Sequence, residues 1–232
     1  MRRAGVAVVA VGVSGYAALQ VAGRRAGSTA AERAAPLPGD EIVSAAQIVT
    51  DHAVTVDAPA SQVWPWLTQM GWHRGGYYTP DWVDLVLFPA NWPSATRLDP
   101  ALLRALRPGD TIPDGPPDTA WYVVAEVAMP HVLVLHSTTH VPPGWGERFG
   151  ASIDWTWCFS LTDVGRQTRL HLRVRGRMAP WWLLAGYHAL IVPADFVMAR
   201  GMLRGIKQRV EDRVEDTEQP VQSGSGTVGP RP

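Results

Sequence analysis

Two runs of strict alternation in the second half of the chain constrain its fold more than any other feature. Ile153, Trp155, Trp157, Phe159 and Leu161 interleave with Asp154, Thr156, Cys158 and Ser160, and Leu170, Leu172 and Val174 then interleave with Arg169, His171, Arg173, Arg175 and Arg177. A side-chain period of two belongs to a strand, and one apolar plus one polar face belongs to antiparallel strands buried on one side. Residues 163–167 join the two runs into a hairpin. On this pattern the arginine row faces water, with Asp154 as a cross-strand partner contributing a few tenths of a kcal/mol, roughly 0.2–0.5. Turning the row inward would put Leu170, Leu172 and Val174 into water, so that arrangement is rejected.

Around the hairpin, residues 121–127 and 132–136 are further β-rich runs joined at Met129-Pro130, and 48–56 end in another before Asp57-Ala58-Pro59. Residues 60–70 change to helical spacing, with Val63, Trp66, Leu67 and Met70 on one face and Gly71 as the stop. A short helix is expected over 80–87, opened by Pro80, and a further turn or two over 99–106. Pro193 opens the last helix, on which Phe196, Ala199, Leu203, Ile206 and Val210 form one stripe. The order is strand, helices, antiparallel strands, long helix. A sheet wet on one face must cover the other, and only the last helix is long enough to do so. The fold class is α+β.

No residue from 4 to 23 is charged, and Arg2-Arg3 and Arg24-Arg25 bracket the stretch. At 1.5 Å per residue its length matches the hydrocarbon layer of about 30 Å. It reads as an uncleaved membrane anchor, which puts the protein at a membrane; a cleaved secretory signal, and a secreted protein, is the alternative. Residues 1–25 are thus expected as an apolar helix outside the domain, 26–40 as a flexible linker, 41–214 as the folded domain and 215–232 as a disordered tail. The stretch 179–192, with Trp181-Trp182-Leu183-Leu184, is too short to span a bilayer. It covers the open end of the sheet or lies in a membrane interface.

Several residue groups carry a resemblance to the SRPBCC superfamily, the helix-grip fold of START lipid-transfer domains and polyketide cyclases. They are Val56-Asp57-Ala58-Pro59 with Val63-Trp64-Pro65-Trp66-Leu67, then Arg74-Gly75-Gly76-Tyr77-Tyr78 with Asp81-Trp82, then Pro108-Gly109-Asp110. Thr168-Arg169-Leu170 and Asp195-Phe196-Val197-Met198 through Gly205-Ile206-Lys207 complete the match, which spans roughly residues 48 to 212. The resemblance implies a curved antiparallel sheet wrapped around the long C-terminal helix, with a cavity between them for apolar small molecules. It implies no activity, because function resides in sites rather than folds.

Eleven tryptophans against four phenylalanines supply more rigid aromatic surface than a sheet-on-helix core requires. Together with the resemblance, this points to a ligand-binding set of Tyr77, Tyr78, Trp82, Trp121, Trp155, Trp157, Met198 and Met202. The expected partner is a hydrophobic small molecule or lipid, with the membrane engaged through residues 4–23. Lys+Arg and Asp+Glu balance at 21 each, which leaves no bulk field for nucleic acid. The single Cys158 excludes an internal disulfide framework and a cysteine zinc site, and its place on the polar face of its strand gives it no activating neighbour. His136 and His140 have the i, i+4 spacing but on a strand, so no metal is expected. There is no G-x-S-x-G, no dinucleotide loop and no P-loop, and no cofactor is expected. Were a cyclase- or dehydratase-like reaction carried out on such a ligand, Asp81, Glu126 and His136 are the acid/base candidates, with Tyr77 beside them.

Overall fold

The computed structural model describes residues 2–218 apart from 88 and 92. Helices α1 (Arg2–Arg25) and α2 (Ala30–Ala34) precede strand β1 (Ile48–Val56) and helices α3 (Ala60–Gln69) and α4 (Asp81–Leu87). Strands β2 (Thr111–Pro113), β3 (Trp121–Ala128) and β4 (Val132–Ser137) follow, then helix α5 (Trp145–Phe149) and the hairpin β5 (Ser152–Val164) and β6 (Gln167–Ala179). Helix α6 (Trp181–Gly186) runs through a π-helical turn (Tyr187–Ile191) straight into α7 (Val192–Glu218). The six strands form one curved antiparallel sheet in the order β1-β6-β5-β4-β3-β2.

The hairpin register follows the alternation read from the sequence. Phe159 pairs with Leu172 and Leu161 with Leu170, all on the concave face. These side chains, with Leu133 and Leu135 of β4, meet Ala199, Met202, Leu203, Ile206 and Val210 of α7 and Trp66, Leu67 and Met70 of α3 in one core. Each fully buried Leu or Phe there contributes about 1.5–3 kcal/mol by leaving water. Trp181–Val214 is long and apolar enough to cross a membrane by length and composition, with a mean hydropathy of 1.4 over its most apolar window. In the fold its α7 stripe is the lid of the sheet.

The last helix begins twelve residues earlier than Pro193 suggests, at Trp181, because the π turn carries the helix past Gly186 and His188 rather than breaking there. A π turn leaves carbonyls off the regular i→i+4 ladder. The end of α1 takes them up: Tyr16 Oη donates to the Ala189 carbonyl (2.8 Å) and Gln20 Nε2 to the His188 carbonyl (2.5 Å). Gly23 lies against the Val192 carbonyl so closely that a side chain there would overlap it. The apolar helix expected outside the domain is therefore docked on it through its C-terminal turns, while Val13, Leu19 and Val21 remain exposed.

Apart from the exposed Arg177, the arginine row is covered rather than open to water. Arg173, 3% exposed, donates from Nε to Asp51 (2.8 Å), from Nη1 to Asp40 (2.9 Å) and from Nη2 to the carbonyls of Glu32 and Arg33. Arg169 grips Glu32 (2.6 Å), and Arg175 donates to the Val43 carbonyl. His171 Nε2 is 2.8 Å from Asp51. Alternation showed which residues share a face but not what lies over it. Residues 26–40, expected as a flexible linker, are held on the convex face of the sheet, with α2 closed by a Thr29–Glu32 capping box. The tail expected from 215 begins inside α7, and 219–232 lie outside the described residues.

Candidate functional site

The aromatic material gathers at the concave end of the sheet nearest the π turn. Tyr122 stands between Trp157 (ring centroids 5.0 Å) and Trp155 (6.2 Å, stacked), with Tyr77 edge-on to Trp157 at 6.1 Å. The π turn adds Tyr187, edge-on to Trp155 at 6.3 Å. His140 closes the group, 4.8 Å from both Tyr122 and Trp155. β3 and β5 supply this wall because Tyr122, Trp155 and Trp157 share the concave parity of their strands.

Polar tips are set into this wall. His140 Nε2 is 2.6 Å from Asp114 Oδ2, and its Nδ1 is 2.8 Å from Ser137 Oγ. The three stand in Asp–His–Ser order, yet Ser137 is buried, donates to the Trp121 carbonyl (2.6 Å) and accepts from the Thr139 amide. That serine is pinned, not free to attack a substrate. Tyr77 Oη donates to the Pro113 carbonyl (3.2 Å) beside Asp114. Tyr122 Oη and Trp155 Nε1 are buried with no hydrogen-bond partner among the described residues. Asp195, on the sheet-facing side of α7, is 9% exposed, and burial alone pushes its carboxyl up to about 7. Burial, reinforced by the Asp114 and Asp195 carboxylates, pushes the phenols of Tyr77, Tyr122 and Tyr187 well above their usual range, so all three are proton donors at ordinary pH.

The residues singled out in the sequence are divided by the fold. Tyr77, Trp155 and Trp157 belong to the concave wall. Met202 is buried in the main core and Met198 is half-buried on α7. Tyr78 turns the other way, into a cleft on the far side of α7, and Trp82 is 61% exposed on α4. Trp121 has the opposite strand parity to Tyr122 and so leaves the wall. The acid/base candidates do not meet. Glu126 and His136 lie on the convex side, where His136 Nε2 is 2.8 Å from Asp154, and Asp81 lines the far cleft. Cys158 is buried beneath the N-terminal cover rather than exposed, and that burial pushes its thiol up to about 12. Sequence reasoning missed Asp114, His140, Tyr122, Tyr187 and Asp195. Parity in β3 pointed to Tyr122. Nothing in the sequence marks the π turn that positions Tyr187.

A cleft of about 920 Å³ lies on the opposite face of α7 from the sheet, between that helix and residues 78–81 and 96–98. No group of three or more His, Cys, Asp or Glu side chains suited to a metal ion occurs among the described residues.

No protein-family model matches the chain, and no curated protein does. Among solved structures it is similar to the Polyketide_cyc-like protein Cgl2372 from Corynebacterium glutamicum, with 13% identity and a TM-score of 0.39 over 74% of this chain and 96% of that one. It is also similar to CalU16 from Micromonospora echinospora, with 16% identity and a TM-score of 0.33 over 74% and 89% of the two chains. A protein from Arthrobacter aurescens gives 11% identity and a TM-score of 0.41 over 85% and 99%. One curved antiparallel sheet closed by a long C-terminal helix is the architecture that the sequence resemblance implied.

Proposed function

We propose that the protein binds a hydrophobic small molecule between the concave face of the sheet and the helix running from α6 to α7. The ligand lies against Tyr77, Tyr122, Trp155, Trp157 and Tyr187. One observation carries this reading: Tyr122 Oη and Trp155 Nε1 are buried without partners among the described residues, and the buried Asp195 carboxyl acts electrostatically on Tyr122. An unpaired buried polar group costs about 1–3 kcal/mol, and a ligand bearing carbonyl or hydroxyl oxygens would recover that at two donors at once. Such a ligand is flat or chain-like and apolar, with a few oxygens, which includes polyketide-type molecules and oxidised lipids.

The reading extends to a membrane tether. The exposed apolar residues of α1 and the neighbouring Trp181, 78% exposed, and Leu190, 70% exposed, support contact with lipid through the uncharged stretch 4–23. A second reading, cyclase- or dehydratase-like proton transfer on the same ligand, is favoured by the Asp195 carboxyl at about 7, which matches the requirement for acid/base work near neutrality.

The test combines native mass spectrometry of the full chain, with its organic extract analysed alongside, and titration of tryptophan fluorescence with aromatic and long-chain keto and hydroxy compounds. A retained or titratable apolar ligand is expected, with affinity lowered about tenfold in Tyr122→Phe and in Asp195→Asn. No bound ligand, or equal affinity in both variants, would overturn the reading.

A further inference from the structure

The cleft on the far side of α7 is a separate construction. Tyr78 and Pro80 cross α7 at Gly201 and Gly205, where a Cβ would meet Pro80 Cδ at 2.6 Å and overlap the Tyr78 carbonyl oxygen. Tyr78 holds a left-handed backbone (φ 58°) to make that crossing. The residue before each glycine is an arginine, so Arg200 and Arg204 flank the crossing on one face of the helix. Arg97 faces them from the opposite wall.

Arg209 sets the base of the cleft. Its Nε donates to the Ala95 carbonyl (2.7 Å), its Nη1 donates to the Gly205 carbonyl (3.1 Å), and its guanidinium lies over the Tyr78 ring at 5.1 Å. Trp66 lines the same wall with a buried indole N–H that has no partner among the described residues. Arg97, Arg200 and Arg204 are in none of the ion pairs among the described residues, and the Arg200 guanidinium lies over the Phe196 ring at 4.7 Å. Asp81 and Asp212 also line the cleft, fewer than its arginines. Phe196, Val197, Pro80 and Leu98 supply an apolar flank, and α4 continues it outward with the exposed Trp82, Leu85 and Val86. Like charges at i and i+4 on a helix repel. Arg200 and Arg204, with Arg97 in the same cleft, concentrate positive charge beside apolar surface, and an anion between them would offset it.

We infer that this cleft is a second binding site, for an anionic phosphate headgroup carried on an apolar group. The guanidinium groups of Arg97, Arg200 and Arg204 meet the phosphate, and Phe196, Val197 and the outer face of α4 meet the apolar part. A membrane phospholipid and a free organophosphate share this chemistry.

The test uses the full chain with two probes. Sedimentation with phosphatidylcholine vesicles, with and without phosphatidic acid, reads the lipid source, and calorimetric titration with hexyl phosphate reads the free one. Binding to the phosphatidic acid vesicles beyond the phosphatidylcholine background supports a lipid headgroup, and saturable hexyl phosphate binding supports a soluble ligand. In either case the Arg200→Gln/Arg204→Gln double variant should lose about tenfold or more in affinity, and Arg166→Gln, at the hairpin tip, should lose none. Arg97→Gln, off the helix, should show a several-fold loss of its own and covers the outcome in which the double variant melts early. Failure of both probes, or a loss equal to that of Arg166→Gln, would overturn the inference.

Discussion

Asp195 and His52 are both buried ionisable side chains, and their burial acts on stability with opposite signs. Asp195 is raised by burial from the ordinary carboxylate range to about 7, so the folded state holds its proton between roughly pH 4 and 7 while the unfolded state releases it. Stability from this group is present at low pH and falls as pH rises through that window, by as much as about 4 kcal/mol. His52, fully buried, is pushed by burial down to about 4, against the Gly23 backbone and Asp51, which favour the charged form. There the unfolded state binds the extra proton, so stability rises with pH from about 4 to 6.5, by roughly 3 kcal/mol. The two slopes oppose each other. Thermal melting of the native protein should change little between pH 4 and 6.5, whereas Asp195→Asn should melt progressively higher across the same interval. Parallel profiles for the two proteins would refute this assignment. Neither group was legible as special in the sequence: Asp195 appeared only within a stretch of resemblance, and His52 as one histidine among seven. Burial is a property of what packs over a residue, and that is settled by distant parts of the chain.

At the scale of elements, the contact that matters most for the far cleft is the passage of residues 78–80 over α7. It exists because two positions one helical turn apart lack a side chain. Gly205→Ala would drive a methyl group into the Tyr78 carbonyl and should destabilise the fold by several kcal/mol, roughly 2–4, on thermal denaturation. Gly186→Ala, on the same long helix but with open space around the added carbon, should be neutral or stabilising by up to about 1 kcal/mol. Equal effects would mean that helix propensity, not the crossing, dominates. The hairpin was the most legible element, since the alternation of Phe159 and Leu161 against Leu170 and Leu172 determines parity and pairing together. The helix crossing was not legible. Arg200-Gly201 and Arg204-Gly205 stand plainly in the sequence, but a glycine in a helix carries no sign of the loop that will lie across it.

For the whole molecule, the sheet is covered on both faces, by the core helix on one and by residues 26–47 on the other. Arg173 is the fastening of the second cover. Two acids and three carbonyls meet one guanidinium, and Arg173→Met would leave Asp51 charged and buried beside His171. Removing one partner of a buried ion pair costs about 3–5 kcal/mol, far above the tenths expected of an exposed cross-strand pair. The variant should lose that much on denaturation and should be cut by protease within residues 26–47 under conditions where the native chain is intact; an unchanged digestion pattern would show the cover to be held by other contacts. Composition hid this layer, because Ala, Pro, Gly and charge are also what a tether contains, and only the positions of Asp40 and Glu32 against the arginines show otherwise. The π turn has a consequence of its own at this scale. It places one more residue in the rod than a regular helix would hold, and each residue turns the rod by about 100°. Deleting a single residue from 187–191 would restore even winding and rotate α6 out of phase with α7, carrying Trp182 away from Trp145 and Phe149 and withdrawing the carbonyls to which Tyr16 and Gln20 are bonded. The one added residue thus acts as a gear offset, keeping the α1-docked end of the helix and its sheet-covering end aimed in directions that regular winding could not satisfy together.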